Sequence, residues 1–114
     1  MAKRRRDISK NCQHYADYKN TSKRRKIKFS LTLKEFLYLT CHPCFYCGQP
    51  PKNFRRGFVY NGIDRIDHDK GYTVKNSLPC CSVCNSIRGK HLTVDEMRAA
   101  MCTVLRLRKQ SDPK

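Results

Sequence analysis

Two CxxC pairs, Cys44 with Cys47 and Cys81 with Cys84, stand 33 residues apart and constrain this chain more than any other feature. Four thiolates in two such pairs can close tetrahedrally on one Zn²⁺, so the segment between them becomes a folded insertion rather than a finger tip. Gly48 follows the first pair, and its access to positive φ suits the tight knuckle that brings backbone amides toward a bound thiolate. Six of the eight cysteines fall in CHPCFYCG and PCCSVCNSIRGK. Cys41 also forms a CxxC with Cys44, and Cys80 adjoins Cys81; the glycine favours Cys44 and Cys47, and Cys41 and Cys80 stay unassigned. Cys12 and Cys102 fall at helical positions and read as small buried fillers. A thioredoxin-like redox centre would need a βαβ context around a single CxxC, and none is present.

A staple of this kind suits a chain of 114 residues with 39% hydrophobic residues and no Trp, which makes at most one domain and a modest core. The opening MAKRRRDISK has charge but no apolar stretch, and no segment is long and apolar enough to span a bilayer. The expected setting is intracellular, cytoplasmic or nucleoid-associated, with a phage or viral source compatible. In such a reducing compartment paired cysteines are metal ligands before they are disulfides.

Charge points to the partner. The chain has 25 Lys and Arg against 9 Asp and Glu, a net charge of +16. The cations cluster along its whole length, at Lys3 to Arg6, Lys23 to Lys26, Arg55 and Arg56, and Arg106 to Lys109. Nucleic acid is the natural partner, DNA first and RNA as an open alternative, and no basic amphipathic helix argues for a membrane surface. So many cations predict binding that weakens steeply with salt. No base-reading module is recognisable, so sequence preference would call for a homodimer, a partner subunit or the basic arm at 1–7 entering a groove.

The pattern predicts a disordered basic arm over 1–7, an N-terminal helical and basic region over 8–40, and a core with the C-terminal helix over 41–110. Ile8, Cys12, Tyr15 and Lys19 follow helical spacing toward residue 25, and KIKFS alternates as a short strand does. LTLKEF carries a capping box, Thr32 with Glu35, and a staple of Leu31 on Phe36; LTVDEM repeats the device with Thr93, Glu96, Leu92 and Met97. Met97, Ala100, Met101, Val104 and Leu105 then read as one apolar stripe packed on the domain.

Between the cysteine pairs the chain reads FVYNGIDRIDHDKGYTVKNSLPCC. With KFSLTLKEF, CFYCG and CSVCNSIRGK, this stretch resembles the HNH endonucleases over residues 29 to 97. The resemblance implies an α+β fold: a small single domain whose zinc-stapled ββα-metal core is flanked by N- and C-terminal helices. Phe58 to Ile66 would be its first strand, 67–75 an omega loop, Asn76 to Pro79 the second strand, and Cys84 onward the helix.

The same resemblance implies a metal-dependent endonuclease that hydrolyses DNA phosphodiesters. Asp64 stands where the family places its metal-binding acid, and Asn85 takes the helix position that is often His. Two oxygen donors suit Mg²⁺ or Mn²⁺ rather than a catalytic Zn²⁺. Asn76 would fix the loop through backbone hydrogen bonds. Arg65 departs from the family pattern, since the residue after the acid is usually the His that activates water, and Arg is no base at neutral pH. The resemblance extends to a branch with this DR pair and a GY in the loop, which implies that Arg65 holds phosphate while Tyr72 helps activate the nucleophile. His68 and Asp67 compete for that role, and His68 has the better matched ordinary pKa. The missing His leaves a second reading, a zinc-stapled nucleic-acid-binding module without turnover. Asp64 weighs against it, because a bare carboxylate amid a phosphate-binding surface repels its ligand unless a cation intervenes.

Overall fold

A computed structural model describes residues 8–55 and 58–111. The basic arm expected at 1–7 lies outside the described residues. Helix α1 spans Ile8–Arg24 and α2 spans Leu33–Thr40; strands β1 (Asn53–Arg55) and β2 (Phe58–Tyr60) form one hairpin. Strand β3 (Gly62–Arg65) pairs antiparallel with β4 (Ser77–Cys80), after a 3₁₀ turn at Val74–Asn76, and α3 (Ser82–Arg88) and α4 (Val94–Ser111) complete the chain. No helix among the described residues is long and apolar enough to cross a membrane.

The expected strand from Phe58 to Ile66 is broken, and Asn61 is the reason. Its side chain is buried and donates to the carbonyls of His42 at 2.7 Å and Gln49 at 3.3 Å, while its amide donates to Thr40. These bonds take residue 61 out of the ladder. Everything before it belongs to the β1–β2 hairpin, and everything after it to the β3–β4 pair. KIKFS likewise forms no regular strand and contributes an isolated parallel bridge between Phe29 and Tyr72.

Both helix starts follow their sequence signals. Thr32 and Glu35 exchange side-chain to backbone bonds of 2.9 and 3.1 Å, as do Thr93 and Glu96. Leu31 and Phe36 are buried together. Helix α3 begins two residues before Cys84 because Cys81 caps it, its Sγ accepting the amide of Cys84 at 3.4 Å.

Helix α1 ends in a Schellman turn. The amide of Ile27 donates to Ser22 at 2.8 Å, that of Lys26 to Lys23 at 3.0 Å, and Lys26 sits at φ +60°. A Cβ is strained there, whereas glycine is not. Lys26→Gly is expected to stabilise the domain by about 0.5–1 kcal/mol, measured as a rise in the denaturant midpoint at unchanged slope.

Two small cores flank the β3–β4 pair. One joins α1, α2 and β3 through Leu31, Phe36, Leu39, Ile63 and Tyr72, with Tyr15, Tyr18 and Phe29 packed against it. The other gathers Cys44, Tyr46, Cys80, Cys84, Met97 and Met101. The stripe expected on α4 is narrower than its sequence implied: Met97, Met101 and Val104 face this core at i, i+4 and i+7, while Ala100 and Leu105 are exposed. Cys102 is exposed too, on the side of α4 away from Met101, which corrects its reading as a buried filler. The side chain of Cys12 falls outside the described residues.

Candidate functional site

Cys44, Cys47, Cys81 and Cys84 bring their Sγ atoms within 4.8 Å of one another. Cys47 and Cys81 are 3.7 Å apart, and zinc–sulfur bonds of about 2.3 Å give a tetrahedron with edges of about 3.8 Å. The cluster therefore fits a tetrahedral ion. Gly48 takes φ +77°, and its amide reaches the carbonyl of Cys44 at 2.9 Å, which forms the expected knuckle. A hydrogen bond from Cys80 brings the Cys44 thiol down to about 3, whereas burial raises the thiols of Cys47 and Cys84. A bound dication would relieve the cost of ionising the latter pair. The two cysteines left unassigned stand outside the cluster: Cys80 is buried beside it and bonds the carbonyl of Cys81 at 3.4 Å, and Cys41 is exposed.

Strand β3 is buried on both faces at its centre, Ile63 toward the helical core and Asp64 toward the thiolate core. Asp64, at 2% exposure, is the buried acid of the chain's second centre. Its Oδ2 accepts the Tyr46 hydroxyl at 2.7 Å and the Arg88 guanidinium at 2.7 Å. Burial, and then Asp64 itself, raise the Tyr46 phenol, which keeps its proton and donates it to that bond. Oδ1 is left toward His68, whose Nε2 is 3.8 Å away.

Asp64, Arg65, His68, Tyr72 and Asn85 line one cleft of about 180 Å³, with Arg25, Ile63, Gly89 and Lys90. The residues singled out from the sequence thus converge, apart from Asn76 and Asp67. Asn76 sits behind the cleft and ties the loop. Its amide nitrogen donates to Asp67 at 3.0 Å and Gly71 at 2.9 Å, and its oxygen accepts the amide of Asp67 at 2.9 Å. Asp67 turns its carboxylate onto the amide of Asp69 at 2.9 Å instead of lining the cleft.

Arg65 also belongs to the loop. One of its nitrogens donates to the carbonyls of His68 and Lys70 at 2.8 and 2.9 Å, and the guanidinium carbon lies 5.5 Å from the centre of the Tyr72 ring. Donors remain on its outer side, since guanidinium has five. Tyr72 is 7% exposed and packs edge-on against Tyr18 at 5.6 Å, while its backbone pairs with Lys28 and Ser30. That pairing explains the glycine before it. A Cβ on Gly71 would strike the backbone carbonyl of Lys28. Gly71→Ala is expected to cost about 2 kcal/mol and to loosen the loop, seen as faster amide exchange at Tyr72.

Two residues of this centre escaped sequence reasoning. Tyr46 lies between Cys44 and Cys47 beside a second ring, Phe45, and nothing in the sequence marks it as the one that turns inward, at 7% exposure against 41%. Arg88, at the end of α3, is 3% exposed. It spends four donor bonds, to Asp64, Arg65, Ile66 and Leu92, at 2.7 to 2.9 Å. Its place four residues after Cys84, on the inner face of α3, was the available signal.

A solved structure similar in fold is that of the rare-cutting HNH restriction endonuclease PacI: TM-score 0.68, 86% of this chain, 78% of that one, 22% identity. The fold is that of an HNH endonuclease. No family model matches the sequence. An uncharacterized protein of Acanthamoeba polyphaga mimivirus is 34% identical over 74 residues, 65% of this chain, and the chain spans about 13% of that relative's length. The β3–β4 pair and α3 form a ββα unit, the four-cysteine cluster brings the Cys44–Cys47 knuckle against its β4–α3 junction, and the cleft opens beside Asp64.

Proposed function

We propose that this chain is a divalent-metal-dependent DNA endonuclease stapled by a structural zinc at Cys44, Cys47, Cys81 and Cys84. One observation carries the reading: a buried carboxylate, Asp64, forms the floor of a cleft otherwise walled by Arg25, Arg65 and Lys90. Phosphate fits such walls, and a carboxylate within them has a use when a cation sits between it and the phosphate. Asp64 and the Asn85 amide are hard oxygen donors suited to Mg²⁺ or Mn²⁺. When bound, the cation supplies Lewis-acid stabilisation of charge developing on the phosphoryl group.

The chain's own residues do the rest. The outer donors of Arg65, with Arg25 and Lys90, hold phosphate oxygens and orient the scissile bond. Arg88 and Tyr46 lock the rotamer of Asp64, and Asn76 fixes the loop that carries His68. Of the two groups proposed to activate water, the geometry favours His68. Its imidazole is 27% exposed and beside Oδ1, whereas Tyr72 is packed into the aromatic core.

Nicking of supercoiled plasmid with Mg²⁺, Mn²⁺ or EDTA tests the function. His68→Ala is expected to slow metal-dependent nicking about 10²-fold or more, and Tyr72→Phe less than tenfold. The reverse order would return the role to the phenol. A wild type that shifts DNA on a gel and never cuts it would make the chain a binding module.

A further inference from the structure

The electrostatics of the cleft say when its cation binds, an inference that rests on the nuclease reading above. Sites that hold Mg²⁺ unaided usually gather several carboxylates, or borrow phosphate oxygens to complete the set. Asp64 is the one carboxylate among the residues lining this cleft, and Arg88 neutralises it at 2.7 Å. Oδ2 is occupied twice, by Arg88 and Tyr46, so Oδ1 alone is available. Arg25, Arg65 and Lys90 add positive charge around it, while Asp17 lines the adjoining groove and Asp67 turns its carboxylate onto the Asp69 amide. A dication entering without a polyanion meets net repulsion; a phosphodiester reverses the sign.

We propose that Arg88 is a positioning residue that restricts Asp64 to one ligand oxygen and cancels its charge, so that the cleft takes up its divalent cation together with a DNA phosphate rather than before it. Cation and DNA then bind with positive coupling, each tightening the other by the same factor. The energetic purpose of the buried pair is selectivity in time: without DNA the site stays poorly charged for catalysis.

Titration of the zinc-loaded full chain with Mn²⁺, following the free-ion electron paramagnetic resonance signal, tests this without reference to turnover. It is run on protein alone, duplex DNA alone, both together at low temperature, and both with Asp64→Asn to subtract ions held by DNA. The expected result is weak uptake by the protein alone and affinity about tenfold or more higher with DNA, absent in Asp64→Asn. Arg88→Met is expected to strengthen uptake without DNA and to shrink the coupling, whereas Arg88→Lys, which keeps the charge, preserves it. Should Arg88→Met fail to fold, Lys90→Gln, at an exposed position, is expected to move both quantities the same way by a smaller factor. Equal affinity with and without DNA would overturn the inference and leave the nuclease reading intact. No uptake in either state, with plasmid left uncut, would remove the nuclease reading itself.

Discussion

Stripping the metal from the thiolate cluster is expected to unfold the domain. Cys44 and Cys47 lie on a knuckle, Cys81 caps α3 and Cys84 lies within it, so one ion would tie the knuckle to the β4–α3 junction of the ββα unit. Around it the core is small: Tyr46, Cys80, Met97 and Met101 are the other buried apolar members. Structural zinc in small domains is worth about 10–16 kcal/mol at neutral pH, comparable with or larger than the net stability of a domain this size. Chelation at neutral pH should therefore abolish the near-ultraviolet circular dichroism and the cooperative thermal transition, with recovery on adding zinc back. Cys84→Ser should behave as the chelated protein does. A chelated chain that keeps its transition would mean that the two apolar cores suffice.

Asp64→Asn is expected to lower metal-dependent nicking about 10³-fold while DNA binding persists or strengthens. The expected loss corresponds to about 4 kcal/mol of transition-state stabilisation. Asparagine keeps the shape and an acceptor for Tyr46 and Arg88, which makes it a cleaner test than Asp64→Ala. Both variants remove the counter-charge of Arg88, 3% exposed, but the alanine variant also leaves the guanidinium and the Tyr46 hydroxyl without an acceptor, at a cost of about 3–5 kcal/mol. Plasmid nicking and gel shift at matched salt separate the two effects, and a variant that cuts at the wild-type rate would remove Asp64 from the chemistry.

What could be read from the sequence follows from the range of the interactions involved. Metal ligation imposes local spacing, so two CxxC pairs and one glycine were enough to expect that these four cysteines come together, as they do. Capping boxes are also local, and both helix starts were legible for that reason. Asp64, Arg65, His68, Tyr72 and Asn85 were gathered through a family resemblance, and the chain does bring them to one cleft. The spacing of Arg88 from Cys84 marked an inward position, but its pairing with Asp64 was not legible, because that partner lies 24 residues away on another element. Nor was the break at Asn61, since FVYNGIDRID alternates through it and the carbonyls that capture its side chain belong to residues 42 and 49. The KIKFS segment shows the converse: alternation supplied a strand pattern, but the chain offers it one bridging partner, Tyr72.

The clip at Asn61 has a consequence for how such a molecule can diversify. The segment leaving the thiolate knuckle near Gln49 and the strand returning at Asn61 are fastened to each other by a single amide side chain. Between those two points the β1–β2 hairpin touches α1 through Tyr60 and His14, whose rings are 4.3 Å apart, but it takes no part in the register of β3, which is pinned by β4 and by the Ile63 amide donating to Tyr18. The hairpin is thus a socket: it can be lengthened, shortened or exchanged while Asp64 stays where it is.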